Sequence, residues 1–327
     1  MKRKLHLGKH PVLLIWIFLF ILLCVIVYAI PSLTGALRST YTVKYGSLKV
    51  EDSGTGYLVR NERVYRAESG GTVNRYISDG SLVRKGVRVL EVNGSSSGEH
   101  SEQFKELMHR LNGRGVFSTY KTKDEGVVSY SADGYEYRLT PDNMADKSKS
   151  WYESLTNDYV VSLKRSKVKK NEPVFKVADR SKWYIVMFVD SSHAKRYTAG
   201  EQLKIRIDKR KSIYGDVQSV KKTGGSVRLI ISTDYYYDRF ASERTAQVTV
   251  TMSETDGLII PNESIVKKKG TKGVYVRQKA GKYEFTPINV LATDGTQSAV
   301  SQSSFVDKNG KLVDTVENYD TILRHGK

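Results

Sequence analysis

Gly94-Ser95-Ser96-Ser97-Gly98 has the G-x-S-x-G spacing of a nucleophile elbow. Its chemistry would be acyl transfer, with the Ser96 hydroxyl attacking a carbonyl and a histidine taking its proton. An elbow of that kind is a taut strand-to-helix turn on an α/β sheet, with Asp and His partners brought alongside. Here the stretch is wholly Ser and Gly, which makes it soft, and His193 and His325 sit in a part of the chain that reads as strands. A flexible linker accounts for the stretch, and no catalytic residue is assigned.

Metal chemistry fares no better. The histidines are His6, His10, His100, His109, His193 and His325. His100 and His109 are too far apart to share a helix face, where ligands are spaced by three or four residues. Glu102 and Glu106 do share a face, but a surface charge pattern explains them as simply as an acid/base pair. The run Lys267-Lys268-Lys269-Gly270-Thr271-Lys272-Gly273 has the composition of a phosphate loop without its G-x-x-x-x-G-K-[ST] order, and reads as a basic hairpin turn. Tyr235-Tyr236-Tyr237 could line a sugar-binding face, yet strand-rich chains use tyrosine routinely. No cofactor or metal site is expected.

The 327 residues suffice for two or three small domains, and the net charge is +18. The lone Cys24 excludes an internal disulfide framework. Residues 11–30 carry no charge, and a helix of that length rises about 30 Å, the thickness of a bilayer's hydrocarbon core. Lys2, Arg3, Lys4 and Lys9 precede it, which places the tail 1–10 in the cytoplasm and the rest outside by the positive-inside rule. Pro11 and Ile30 bound this anchor, and Trp16 and Tyr28 are its interfacial aromatics. A cleaved signal peptide would have a shorter apolar region, and Thr34-Gly35-Ala36 is a poor cleavage site. With that topology the clusters Lys164 to Lys167, Lys209 to Lys211, Lys221-Lys222 and Lys267 to Lys269 would meet lipid headgroups or anionic wall polymers, not nucleic acid. Solvated turn lysines that keep strand edges from pairing explain them as well.

Beyond the anchor the chain reads mainly as β. Ala67 to Val92 alternates short strands with glycine turns. A second copy begins at Asp124-Glu125-Gly126-Val127-Val128 and resumes at Val168 to Val177. Two such halves can close into one small sandwich. Between them Phe104, Leu107, Met108 and Leu111 recur at helical spacing, and Asn112-Gly113 suits a left-handed helix stop. That stripe is a candidate partner contact, or a lid on its own sandwich. From Trp183 onward, strands follow one another at the regular spacing of an antiparallel barrel.

This order of parts resembles the membrane fusion proteins, or periplasmic adaptor subunits, and most of all their HlyD-like branch. The motifs are Thr72-Val73 through Gly86-Val87-Arg88-Val89, Gly126-Val127-Val128-Ser129-Tyr130-Ser131-Ala132-Asp133-Gly134-Tyr135-Glu136, and Gly257-Leu258-Ile259-Ile260-Pro261 with Ser264-Ile265 and Gly273-Val274-Tyr275-Val276. The resemblance implies a split lipoyl-like barrel-sandwich at 67–98 and 113–180, around a helical insert at 99–112. Residues 31–66 would hold a linker and first strands, 181–256 an antiparallel β-barrel, and 257–327 a membrane-proximal β domain. A Ser/Gly loop and helix replace the hairpin that bears the modified lysine in acyl carriers, so no carrier lysine is expected. The helix is too short to be the long hairpin of double-membrane exporters, as in compact relatives from single-membrane (Gram-positive) bacteria. The resemblance implies a non-catalytic, single-pass, extracytoplasmic adaptor that oligomerises and binds an export pump of the ABC type. An envelope or cell-division scaffold on the same fold is the alternative.

Overall fold

The computed structural model describes residues 15–24, 39–117, 119–157, 159–235, 237, 239–279 and 281–326. Residues 15–24 are helical and, up to Leu23, exposed, Trp16 among them. Among the described residues no helix is long and apolar enough to cross a membrane. The tail 1–10, the 34–36 cleavage candidate, and the anchor residues Pro11, Tyr28 and Ile30 lie outside the described residues.

The chain divides into two compact units, Met1–Val50 with Ser253–Lys327, and Glu51–Met252. In the larger, six strands form a closed barrel in the order Gln202–Ile207, Ile213–Thr223, Ser226–Thr233, Trp183–Asp190, Lys44–Val59, Thr245–Pro261. Closure comes from Gln202–Ile207 pairing back onto Thr245–Pro261, with Ile205 opposite Val250. The period of two decides which side chains fill the barrel. Trp183, Ile185, Met187 and Val189 point in, to meet Leu203, Ile205, Leu229 and Ile231. Gly56 lies where the wall bends inward: a Cβ there would come within 2.3 Å of the Val248 side chain.

The sandwich closes as the two sequence copies suggest. One sheet runs Lys167–Val168, Gly71–Arg75, Leu90–Asn93, and the other Leu82–Val83, Gly126–Ser129, Pro173–Ala178, Glu62–Arg66, Val116–Phe117. Each sheet takes strands from both copies, so neither half is complete alone. Leu82 pairs with Val127, and Lys167 with Thr72. The helix Glu102–Arg110 covers this core, burying Phe104 and Leu107, and Leu111 follows them inside. Asn112 and Gly113 end it with φ of 52° and 66°, the left-handed stop expected from their types.

In the smaller unit a sheet runs Thr40–Thr42, Thr321–Leu323, Thr271–Arg277, Val266–Lys268, and Tyr283–Pro287 pairs with the other edge of Thr271–Arg277. The end of the long strand Thr245–Pro261 pairs with Gln297–Val300. Val43, Leu258, Val274, Val276, Val300 and Ile322 form the core of this unit.

Leu107 is fully buried under its helix, so Leu107→Ala removes packing that nothing refills. Denaturant unfolding of the full chain should show a loss of about 2–5 kcal/mol, whereas His109→Ala on the exposed face should stay within about 0.5 kcal/mol.

Candidate functional site

Six charged side chains meet where the sandwich joins the barrel. Arg60 and Glu62 come from the link between strands Lys44–Val59 and Glu62–Arg66. Lys176 comes from Pro173–Ala178, Asp133 and Glu136 from the turn after Ser131–Ala132, and Arg244 from the loop before Thr245–Pro261. All six are buried. Three cations face three carboxylates, the balance that makes burial tolerable.

Glu62 is the hub. Its Oε1 lies 2.7 Å from Lys176 Nζ and 3.1 Å from Arg60 Nε, the latter an ion pair without hydrogen-bond alignment, and its Oε2 accepts from Arg244 Nη2 at 2.7 Å. Arg244 grips Asp133 with two prongs, Nε to Oδ2 at 2.8 Å and Nη2 to Oδ1 at 3.0 Å. Lys176 Nζ also donates to Glu136 Oε1 at 3.1 Å, and Glu136 accepts from the backbone N–H groups of Asp133 and Gly134. Arg60 donates to the carbonyls of Glu243 and Ala241 on the barrel side.

Burial alone would push these carboxyls up. For Glu62 the charges of Arg244, Arg60 and Lys176 outweigh burial and hold it well below the usual carboxylate range. Asp133 is held down by Arg244 and Lys176 against the same burial. Glu136 goes the other way, raised first by burial and then by Asp133. Burial would lower Arg244, but Asp133 and Glu62 raise it above its ordinary value.

An apolar strap reinforces the junction. The segment after the Asp133 turn leaves the sandwich and lies on the outer wall of the barrel, where Leu139, Met144, Tyr152 and Leu155 pack on Tyr57, Val59, Val186 and Ile230. The Tyr152 ring sits 4.9 Å from Tyr57 and 5.6 Å from Phe188, and its hydroxyl donates to the Met144 carbonyl. Asn157 closes the strap: its amide donates to the Thr245 carbonyl and its oxygen accepts from the N–H groups of Arg244 and Thr245. This is why Tyr184, Val186 and Phe188, which point outward from the barrel, are not simply solvated.

The residues singled out from sequence take other places. Phe104, Leu107 and Leu111 face their own sandwich, Met108 is half-buried, and the Arg165 guanidinium stacks on Phe104 at 3.5 Å. The outer face of the helix holds the ion pairs Lys105–Glu102 and Arg110–Glu106, each 2.8 Å. Ser96 is set by backbone packing: a Cβ on Gly70 would come within 2.0 Å of the Ser96 carbonyl oxygen. His100 pairs with Glu172, His193 with Asp52 and His325 with Glu263. His109 is exposed. His6, His10 and Tyr236 lie outside the described residues. Tyr237 is buried, with its hydroxyl on Glu243 and Asp208, and Tyr235 is exposed. The described residues hold no cluster of three metal-ligating side chains.

A sandwich assembled from two interleaved halves and joined to a closed barrel defines a two-domain architecture, and the domain comparisons name it. Residues 62–179 match the RND-related barrel-sandwich hybrid domain, and residues 183–254 match the RND-related β-barrel domain. Together the two matches span more than half of the chain, which belongs to the family built on this pair of domains. No curated protein matches the sequence. Among solved structures, MacA from Actinobacillus actinomycetemcomitans is 13% identical, with 87% of this chain and 98% of that chain covered at a TM-score of 0.38. ZneB from Cupriavidus metallidurans is 10% identical, with 88% and 92% covered at 0.28. The membrane fusion protein Spr0693 from Streptococcus pneumoniae R6 is 11% identical, with 62% and 100% covered at 0.29. At these scores the overlap is loose, and the family assignment rests on the two domain matches.

Two outcomes follow from the charge cluster. Arg244→Ala strands Glu62 and Asp133 in a dry site and should cost about 3–5 kcal/mol in equilibrium unfolding. Glu62 and Asp133 bind protons less readily folded than unfolded, so their contribution is complete above the unfolded carboxylate range and lost as pH falls through and below it. The thermal midpoint of the full chain should therefore drop steeply on acidification from about pH 5 to pH 2, and the Glu62→Gln variant should show a shallower drop.

Proposed function

We propose that the protein is a non-catalytic, membrane-anchored adaptor of an export system. The observation that carries this reading is the ordered pair of family domains, sandwich then barrel, joined by a buried charge cluster. Residues 11–30 would anchor it, with the amino terminus in the cytoplasm and both compact units outside. The partner would be an inner-membrane pump, of the ATP-driven class on the resemblance to compact adaptors. Copies of the chain would pack side by side around it.

The short helix bears on reach. Glu102–Arg110 rises about 14 Å at 1.5 Å per residue, which suits an adaptor working close to one membrane. Since its apolar stripe is spent on the sandwich core, a partner touching this helix would meet its charged face, Glu102, Lys105, Glu106 and His109.

Affinity purification of the full chain from its native membrane, after mild crosslinking, should recover a transporter's membrane subunit. Recovery of envelope or division proteins alone would sink the export reading and favour a scaffold.

A further inference from the structure

The charge of the smaller unit is concentrated in one meander. Strands Val266–Lys268, Thr271–Arg277 and Tyr283–Pro287 follow one another as two antiparallel hairpins. Across residues 266–287 stand Lys267 to Lys269, Lys272, Arg277, Lys279 and Lys282 against the single carboxylate Glu284. All these cations are exposed, and none lies in an ion pair among the described residues. Lys267 and Lys272 are directly opposite each other, an arrangement that lowers sheet stability. Keeping strand edges from pairing does not explain it, because Lys272 is on the central strand of the three.

The outer face of the meander is aromatic as well as basic. Val274 and Val276 point into the core, and Lys272 with its partner Lys267 shares their side at the end of the sheet; Thr271, Gly273, Tyr275 and Arg277 point out, with Lys268, opposite Thr271, on their side. Phe285 pairs with Tyr275, and Tyr283 with Arg277. The Phe285 ring lies on Gly273, where a Cβ would come within 2.4 Å of it, and Lys268 Nζ stands 5.6 Å over the same ring. Half-exposed rings beside unpaired cations make an interfacial composition, with the rings suited to the headgroup layer and the cations to its phosphates.

The route of the chain points to which anionic surface this is. Thr40–Thr42 is two strands away from Thr271–Arg277 in the sheet, about 10 Å at the usual strand spacing. Residues 25–39 join that strand to the apolar helix 15–24, a reach of at most about 55 Å. We infer that the outer face of the 266–287 meander docks on the anionic phospholipid headgroups of the membrane that takes up the apolar helix, fixing this unit against the bilayer. The contact does not depend on the pump, so it stands or falls separately from the adaptor reading.

The test uses the full chain with Cys24→Ser and an environment-sensitive fluorophore on Thr271→Cys, mixed with vesicles of phosphatidylcholine alone or containing phosphatidylglycerol. The apolar segment can hold the chain on both, while the label reports the meander alone. The inference predicts a blue shift and shielding from iodide only with phosphatidylglycerol, reversed by high salt. It predicts loss of both in the Lys268→Gln/Lys269→Gln/Arg277→Gln variant. Lys268→Gln alone, a surface change that leaves the fold intact, should weaken the contact about fivefold. Identical emission on the two vesicles would overturn the inference, as would a shift produced by soluble poly(glycerol phosphate) but not by the anionic vesicles.

Discussion

A carboxylate with no water around it needs cations, and Glu62 has three: Lys176 on the sandwich, Arg244 on the barrel and Arg60 on the link between them. That single requirement ties the two family domains to each other. Removing any of the three leaves net charge in a dry site, at several times the cost of a surface ion pair. The arrangement is also specific. The two-pronged grip of Arg244 on Asp133 works at one separation and angle, so the junction has one geometry rather than a range.

The surrounding structure follows from that fixed junction. The sandwich cannot form from either sequence copy, because each sheet draws strands from both. Closing it brings Pro173–Ala178 beside Glu62–Arg66 and thereby delivers Lys176 to Glu62. The same closure sets the Asp133 turn, from which the strap departs onto the barrel wall. Tyr152 then fills the outer surface that Tyr57, Val186 and Ile230 would otherwise expose. Charge inside and apolar strap outside act on the same joint, and they leave sandwich and barrel little freedom to move independently. This makes the sandwich and barrel one stiff body.

What sequence reveals here is what periodicity reveals. Alternation marks the strands, helical spacing marks Phe104, Leu107 and Leu111, and the glycine turns expose the two half-sandwiches, which close as expected. The charge cluster has no such signature. Glu62, Asp133, Lys176 and Arg244 are distant in the chain, and an ion pair across that distance exists only once the fold does. Lys176 was the one visible hint, a lysine inside Pro173-Val174-Phe175-Lys176-Val177-Ala178, a strand whose every residue is buried. The strap was equally silent: Trp151 to Leu155 shows as a short helical segment, and nothing local says that its aromatic side would land on another domain. The apolar stripe of the helix insert was legible as a stripe but not as to its use, because a partner and a sandwich core ask for the same residues.

The central claim is that sandwich and barrel open as one cooperative body. Native-state hydrogen exchange of the full chain across a denaturant series measures this most directly. The account predicts that the slowest amides of Pro173–Ala178 and of Trp183–Asp190 converge on the same opening free energy with the same denaturant dependence. Sandwich amides opening at a distinctly lower free energy while the barrel stays closed would contradict it.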